Sequence, residues 1–162
     1  MLLSAEAYKQ IDRELAKYPA EQKQSAVMSA LRIAQVEKGW LSPEVVEDVA
    51  NYLGMPPIAV HEVATFYTMY NNQPVGKFKV TVCTNLPCVL SGGNKAAHYL
   101  QEKLGIHFNE TTADGAITLK EGECMGSCGD APVMLVNNHR MCSFMSNEKI
   151  DALLNELQGA AK

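Results

Sequence analysis

Apolar positions in the first seventy residues recur at helical spacing. Tyr8, Ile11, Leu15 and Tyr18 share one face of a helix that Pro19 ends, and Val27, Ala30, Leu31 and Ala34 form a second stripe before Gly39. Ser42-Pro43-Glu44 is a helix start: the hydroxyl accepts free N–H groups, proline fits the first helical position, and glutamate suits the positive end. Val45, Val46, Val49, Ala50 and Leu53 then make an apolar stripe that ends at Gly54, and Pro56-Pro57 opens a fourth helix through His61, Val63 and Phe66. Phe66, Tyr67 and Tyr70 suit either a helical core or a partner surface, and Trp40 reads as a core or interface anchor.

The period changes after Pro74-Val75-Gly76. Phe78, Val80 and Val82 alternate with Lys77, Lys79 and Thr81, as in a half-buried strand. Ser91-Gly92-Gly93 leads into a helix with Ala96, Ala97, Leu100 and Leu104 on one side. Ile117 and Leu119 mark a short strand after Asp114-Gly115. Val133 to Val136 reads as a buried strand, Asn137-Asn138-His139 as a tight turn, and Met141 to Phe144 as the returning strand. Ser146 caps a last helix with Ile150, Leu153, Leu154 and Leu157 inside, and Gly159 is its expected end. The expected architecture is mixed α+β or α/β. A helical bundle over residues 1–74 is followed, over 75–162, by a small sandwich of thioredoxin-like type with a sheet of about four strands.

Composition narrows the function classes. With 47% apolar and 20% charged residues the chain is globular, and its net charge of −4 leaves neither half with a basic footprint for nucleic acid or anionic lipid. No apolar run approaches the roughly 20 residues that span a bilayer. The start, Met1-Leu2-Leu3-Ser4, resembles neither a signal peptide nor a transit peptide, so the expectation is a soluble cytoplasmic chain without removed segments. Five cysteines, an odd number without a signal peptide, argue for a reducing compartment where clustered thiols serve metals or redox chemistry.

Four of the cysteines pair by spacing. Cys83 follows the first strand and Cys88 makes C-x4-C with it, in a loop that ends near Gly92-Gly93. Cys124 and Cys128 form C-x3-C within Glu123-Cys124-Met125-Gly126-Ser127-Cys128-Gly129, before Pro132. Two loops at strand ends can meet at one sheet edge, and four thiolates there suit an iron–sulfur cluster or zinc. Gly126 and Gly129 are expected to take φ > 0 and to aim N–H groups at sulfur. Glu121, Glu123 and Asp130 read as ordinary solvated loop charges. The spacing is wider than zinc knuckles, lacks the C-x-x-C of a dithiol oxidoreductase, and differs from plant-type ferredoxins. A Rieske site would need histidines beside cysteines, and His61, His98, His107 and His139 are scattered. Cys142 stands alone and reads as a buried free thiol. No G-x-G-x-x-G follows a strand, so nicotinamide and flavin sites are expected elsewhere.

Cys83-Thr84-Asn85-Leu86-Pro87-Cys88 and Glu123-Cys124-Met125-Gly126-Ser127-Cys128-Gly129-Asp130-Ala131-Pro132 resemble the thioredoxin-like [2Fe–2S] ferredoxins. Val63 to Tyr70 and Gln73-Pro74-Val75-Gly76 resemble the helical part of one branch, the small iron–sulfur subunit of the NADH dehydrogenase module of respiratory complex I. The similarity runs from about residue 4 to residue 158. It implies one [2Fe–2S] cluster on Cys83, Cys88, Cys124 and Cys128, cycling between Fe(III)Fe(III) and Fe(III)Fe(II), with no residue acting as acid, base or nucleophile. It implies a flavoprotein partner that carries FMN and NADH, beside the main cluster chain to quinone. The rest of the complex's peripheral arm would follow, at the cytoplasmic face of a bacterial inner membrane, without direct membrane insertion. The same subunit type resembles parts of NAD-reducing hydrogenases and formate dehydrogenases. A structural four-cysteine zinc interaction module is the remaining alternative.

Overall fold

The computed structural model describes residues 1–161 and divides into two compact units, one over Met1–Pro74 and one from Val75 onward. The first unit contains α1 (Ala5–Leu15), a 3-10 segment (Ala20–Ala26), α2 (Val27–Lys38), α3 (Pro43–Leu53) and α4 (Pro57–Phe66). Local chemistry sets its boundaries. Ser4 Oγ accepts from the Ala7 amide and Ser42 Oγ from the Val45 amide, and Gly39 and Gly54 end their helices at φ +83° and +68°. Ile11, Leu31, Ala34, Val49 and Val60 are fully buried in the core.

Two expectations change here. Tyr18 lies beyond α1 and is exposed, because Lys17 and Tyr18 donate to Glu14 and Leu15 and tighten the chain out of α-helical phase. The aromatic trio divides: Tyr70 is buried and donates to the Met28 carbonyl at 2.8 Å, while Phe66 is 77% exposed. Buried Gln35 fixes the returning chain, donating to the Met69 carbonyl and accepting from the Asn71 amide.

The second unit contains β1 (Phe78–Cys83), α5 (Leu86–Leu90), α6 (Gly93–Leu104), β2 (Ile117–Gly122), β3 (Met134–Val136), β4 (Arg140–Cys142) and α7 (Asn147–Ala161). The sheet order is β2-β1-β3-β4, with β1 and β2 parallel and the other pairs antiparallel. A two-stranded parallel pair needs a long crossover, and α5 and α6 supply it. Val80, Val82, Ile117 and Leu119 pack with Leu100 of α6 and with Ile150 and Leu154 of α7. This is the mixed α+β, thioredoxin-like architecture expected from the pattern.

The details differ in several places. The C-x4-C segment holds the short helix α5 instead of a plain loop. Asn137 and Asn138 both take left-handed conformations, and the turn they make sets Val136 opposite Arg140. The returning strand is therefore Arg140–Cys142, and Phe144, at φ +53°, lies outside it. Gly159 does not end α7: it is absent from the left-handed residues, and the helix continues to Ala161. Lys79, read as the solvent side of its strand, is 3% exposed, beside buried Thr118 and with its amide bound to Asn137 Oδ1. No helix among the described residues is long and apolar enough to cross a membrane.

Candidate metal centre

The parallel register of β1 and β2 places Cys83 opposite Gly122, so both strands end at the same sheet edge. From there β1 runs on through Thr84 and Asn85 into α5, which carries Cys88, and β2 runs on through Glu123 to Cys124. Cys83 and Cys88 are each 1% exposed, and they share a small apolar cluster with Val133, flanked by Met125 and Ala131. The Cys83 amide donates to the Val133 carbonyl, which ties β1 to the segment after Cys128. Cys124 and Cys128 are exposed, with their sulfurs 3.5 Å apart. The edge thus holds a buried pair and an exposed pair.

Gly126 shapes the outer pair. At φ +75° it turns the loop back so that its N–H donates to Cys124 Sγ at 3.4 Å. That bond, followed by one from Cys128, pulls the Cys124 thiol below its ordinary range. The hydrogen bond with Cys124 and then burial hold the Cys128 thiol up, with smaller contributions from Cys124 and Cys83 as charges. Burial, then the hydrogen bond with Cys83, pushes Cys88 up to about 11, and Cys128 adds to it. Cys128 is thus felt by Cys88 of the inner pair, and Cys83 by Cys128 of the outer one. Gly129, expected to share the left-handed role, is absent from the left-handed residues; of the two, Gly126 alone takes it.

Four cysteine thiolates are a donor set that suits either an iron–sulfur cluster or a zinc ion. Among the described residues, no group of three or more Cys, His, Asp or Glu side chains is arranged to hold a metal ion. A structural zinc would take all four thiolates on one centre, whereas four cysteines on two irons sort into two pairs. Two thiolates at about 2.3 Å from one tetrahedral ion stand about 3.8 Å apart, close to the 3.5 Å between Cys124 and Cys128. The four histidines are exposed on other elements, and Cys142 sits half-buried on β4 opposite Met134.

Several residues at this edge were not legible from the sequence. A Cβ on Gly93 would fall within 2.9 Å of the carbonyl oxygens of both Cys83 and Cys88, so only glycine fits at the start of α6. The three acids taken as solvated charges all hold partners. Thr84 Oγ1 donates to Glu121 at 2.8 Å, and Asn85 Nδ2 donates to Glu123 at 2.9 Å. Asp130 accepts from the Ser127 and Ser143 hydroxyls, each at 3.2 Å, and its carbonyl accepts from the Phe144 amide. The paired glycines and the Thr84-Asn85 step were visible signals, but their partners are distant in sequence.

A thioredoxin-like sandwich with four cysteines gathered at one sheet edge defines a class, the small cysteine-ligated redox and metal domains. The model of the thioredoxin-like [2Fe–2S] ferredoxins matches residues 11–158, and the chain belongs to that family. It is 38% identical to NADH-quinone oxidoreductase subunit 2 of Thermus thermophilus, over 94% of this chain and 84% of that one. It is 42% identical to an NADH-quinone oxidoreductase subunit of Rickettsia conorii, over 88% of this chain and 85% of that one. With an NADH-quinone oxidoreductase subunit of Rhizobium meliloti it shares 40% identity, over 94% and 89%. These relatives bear out the branch resemblance read from the sequence. Among solved structures, an air-oxidised NAD+-reducing [NiFe]-hydrogenase matches 80% of the chain with a TM-score of 0.69 at 20% identity, which shows a shared fold. The chain spans about a quarter of that hydrogenase chain's length, 23%.

Proposed function

We propose that Cys83, Cys88, Cys124 and Cys128 hold one [2Fe–2S] cluster and that the chain carries single electrons as a subunit of an NADH:quinone oxidoreductase. In this reading FMN and NADH bind a partner flavoprotein, and the cluster sits beside that flavin. The assembly continues into a peripheral arm at the cytoplasmic face of the membrane. The observation that carries the reading is the β1–β2 register, which brings C-x4-C and C-x3-C to one edge as two pairs. Identities near 40% over most of the chain to quinone oxidoreductase subunits favour this context over a hydrogenase, for which the support is fold alone.

When bound, such a cluster supplies a one-electron couple, and cysteine-ligated centres of ferredoxin type fall roughly near −400 mV. The chain's residues set its surroundings. Cys83, Cys88 and Val133 keep water from the inner side, while the exposed Cys124–Cys128 loop gives the side on which a redox partner approaches. The Gly126 N–H at Cys124 Sγ stabilises negative charge on that sulfur, which favours reduction. The test is anaerobic reduction of the purified chain followed by EPR and metal analysis. The expected result is a rhombic one-electron signal with two irons per chain; a colourless protein with stoichiometric zinc would sink the reading. Co-purification with a flavoprotein tests the partner, and the partner's identity separates the quinone-linked complex from a hydrogenase or formate dehydrogenase.

A further inference from the structure

The two cysteine-bearing segments leave the sheet side by side, and side chains lash them together beyond the last strand residues. The backbone gives one link, from the Thr84 amide to the Gly122 carbonyl at 3.1 Å. Thr84 Oγ1 to Glu121 gives a second, and Asn85 Nδ2 to Glu123 Oε2 a third. Asn85 occupies the residue before α5, where asparagine ordinarily turns inward to cap a helix, yet it makes no capping bond. Its amide reaches across to the residue that precedes Cys124.

We propose that Asn85 and Glu123 are positioning residues for the metal centre and together form a strut with two separable effects. The inference rests on the cluster reading above. The hydrogen bond holds the exposed Cys124–Cys128 loop against the buried Cys83–Cys88 segment, so the four ligands stay in one place when the loop is agitated by solvent. The carboxylate of Glu123, adjacent to a ligand in a chain of net negative charge, opposes the extra electron and sets the couple lower than the loop's N–H donor alone would. Retention depends on the bond, and potential depends on the charge. Because Gln can accept the same bond without the charge, the two effects can be taken apart.

The experiment uses the full chain loaded with its cluster and compares Asn85→Ala, Glu123→Ala, the double variant, and Glu123→Gln. Two quantities are read: the rate at which visible absorbance is lost in EDTA, and the midpoint potential from a dye-mediated titration followed by EPR. Asn85→Ala and Glu123→Ala are expected to lose the cluster about threefold or more faster, and the double variant no faster than either single one. Glu123→Gln is expected to retain the cluster like the wild type. Both Glu123 variants should shift the reduction equilibrium about threefold towards the reduced form, about 28 mV at 59 mV per tenfold, and Asn85→Ala should not. That shift should shrink in high salt, because the carboxylate is exposed. Unchanged loss rates, additive losses in the double variant, or an unmoved potential in Glu123→Gln would each overturn the strut while the wild-type cluster stands. A wild-type chain that takes zinc or no cluster would sink the cluster reading itself, and this inference with it.

Discussion

A Cβ placed on Gly93 would stand 2.8 Å from the carbonyl oxygen of Cys88. It would also stand 2.9 Å from that of Cys83, so the first residue of α6 rests directly on the backbone of both inner cysteines. Neither neighbour is a flexible side chain, and relief requires moving a strand end or α5. Gly93→Ala is therefore expected to cost about 1–3 kcal/mol of stability, the range of overpacking, and to reduce cluster loading. Gly129→Ala, with nothing within 4 Å of its Cβ, is expected to stay within about 0.5 kcal/mol of the wild type. Urea denaturation and visible absorbance of the two variants check the contrast.

The readable parts of this chain were those fixed by neighbours in sequence. Ser42-Pro43 starts a helix and Gly54 stops one through bonds within a single turn, so both were legible. So was the cysteine spacing, because C-x4-C and C-x3-C are local facts. Long-range contacts decided the rest. Asn85 binds Glu123 across the parallel strands, and nothing local to Asn85 points to that partner. The difference between a buried and an exposed cysteine pair depends on Val133 and Ala131, which arrive from a third segment. Lys79 alternated with apolar residues as a solvent-facing side chain would, but Thr118 and Asn137 flank it and it is buried.

Lys79 gives a pH dependence of defined sign. Burial, and then the charge of Lys120, push its pKa down to about 8 from 10.5. Below about pH 8 it is charged in both folded and unfolded chains, and the burial penalty is complete. Between about 8 and 10.5 the unfolded chain binds more protons, so its contribution to stability rises with pH. Lys79→Met removes the charge and keeps the aliphatic length. Its stability relative to the wild type is expected to fall by about 1–3 kcal/mol between pH 7 and pH 10.5. Paired urea curves at pH 7 and 10 under reducing conditions measure this; a difference independent of pH would contradict the burial of the ammonium.

In the helical unit the corresponding group is a phenol. Tyr52 Oη donates to Asp12 at 2.6 Å, Tyr8 Oη donates to Asp48, and the two rings lie 4.6 Å apart. The bond to Asp12, then burial, pushes Tyr52 up to about 12. Its contribution to stability is complete below pH 10 and is lost as pH rises from 10 through 12. Tyr52→Phe should cost about 1 kcal/mol at pH 7 and less at pH 11. Circular dichroism during urea unfolding at both pH values reads the change.

Burial divides the four clustered cysteines and gives the two pairs different expected phenotypes. Cys124 is exposed and packs against little, so Cys124→Ala should abolish the cluster spectrum yet leave the cluster-free chain as stable as the wild type. Compared with the loaded wild type, the variant should be less stable at this edge, because metal binding and local folding are coupled. Cys88 is 1% exposed within the Cys83–Val133 cluster, so Cys88→Ala should abolish the spectrum and also cost the cluster-free chain about 1–2 kcal/mol. Cys142, on β4 and separated from β1 by β3, should be dispensable for the spectrum. Visible absorbance and EPR of loaded chains, with urea denaturation of cluster-free chains, separate the three outcomes. A normal cluster in Cys124→Ala, or a lost one in Cys142→Ala, would show that the donor set has been drawn around the wrong sulfurs.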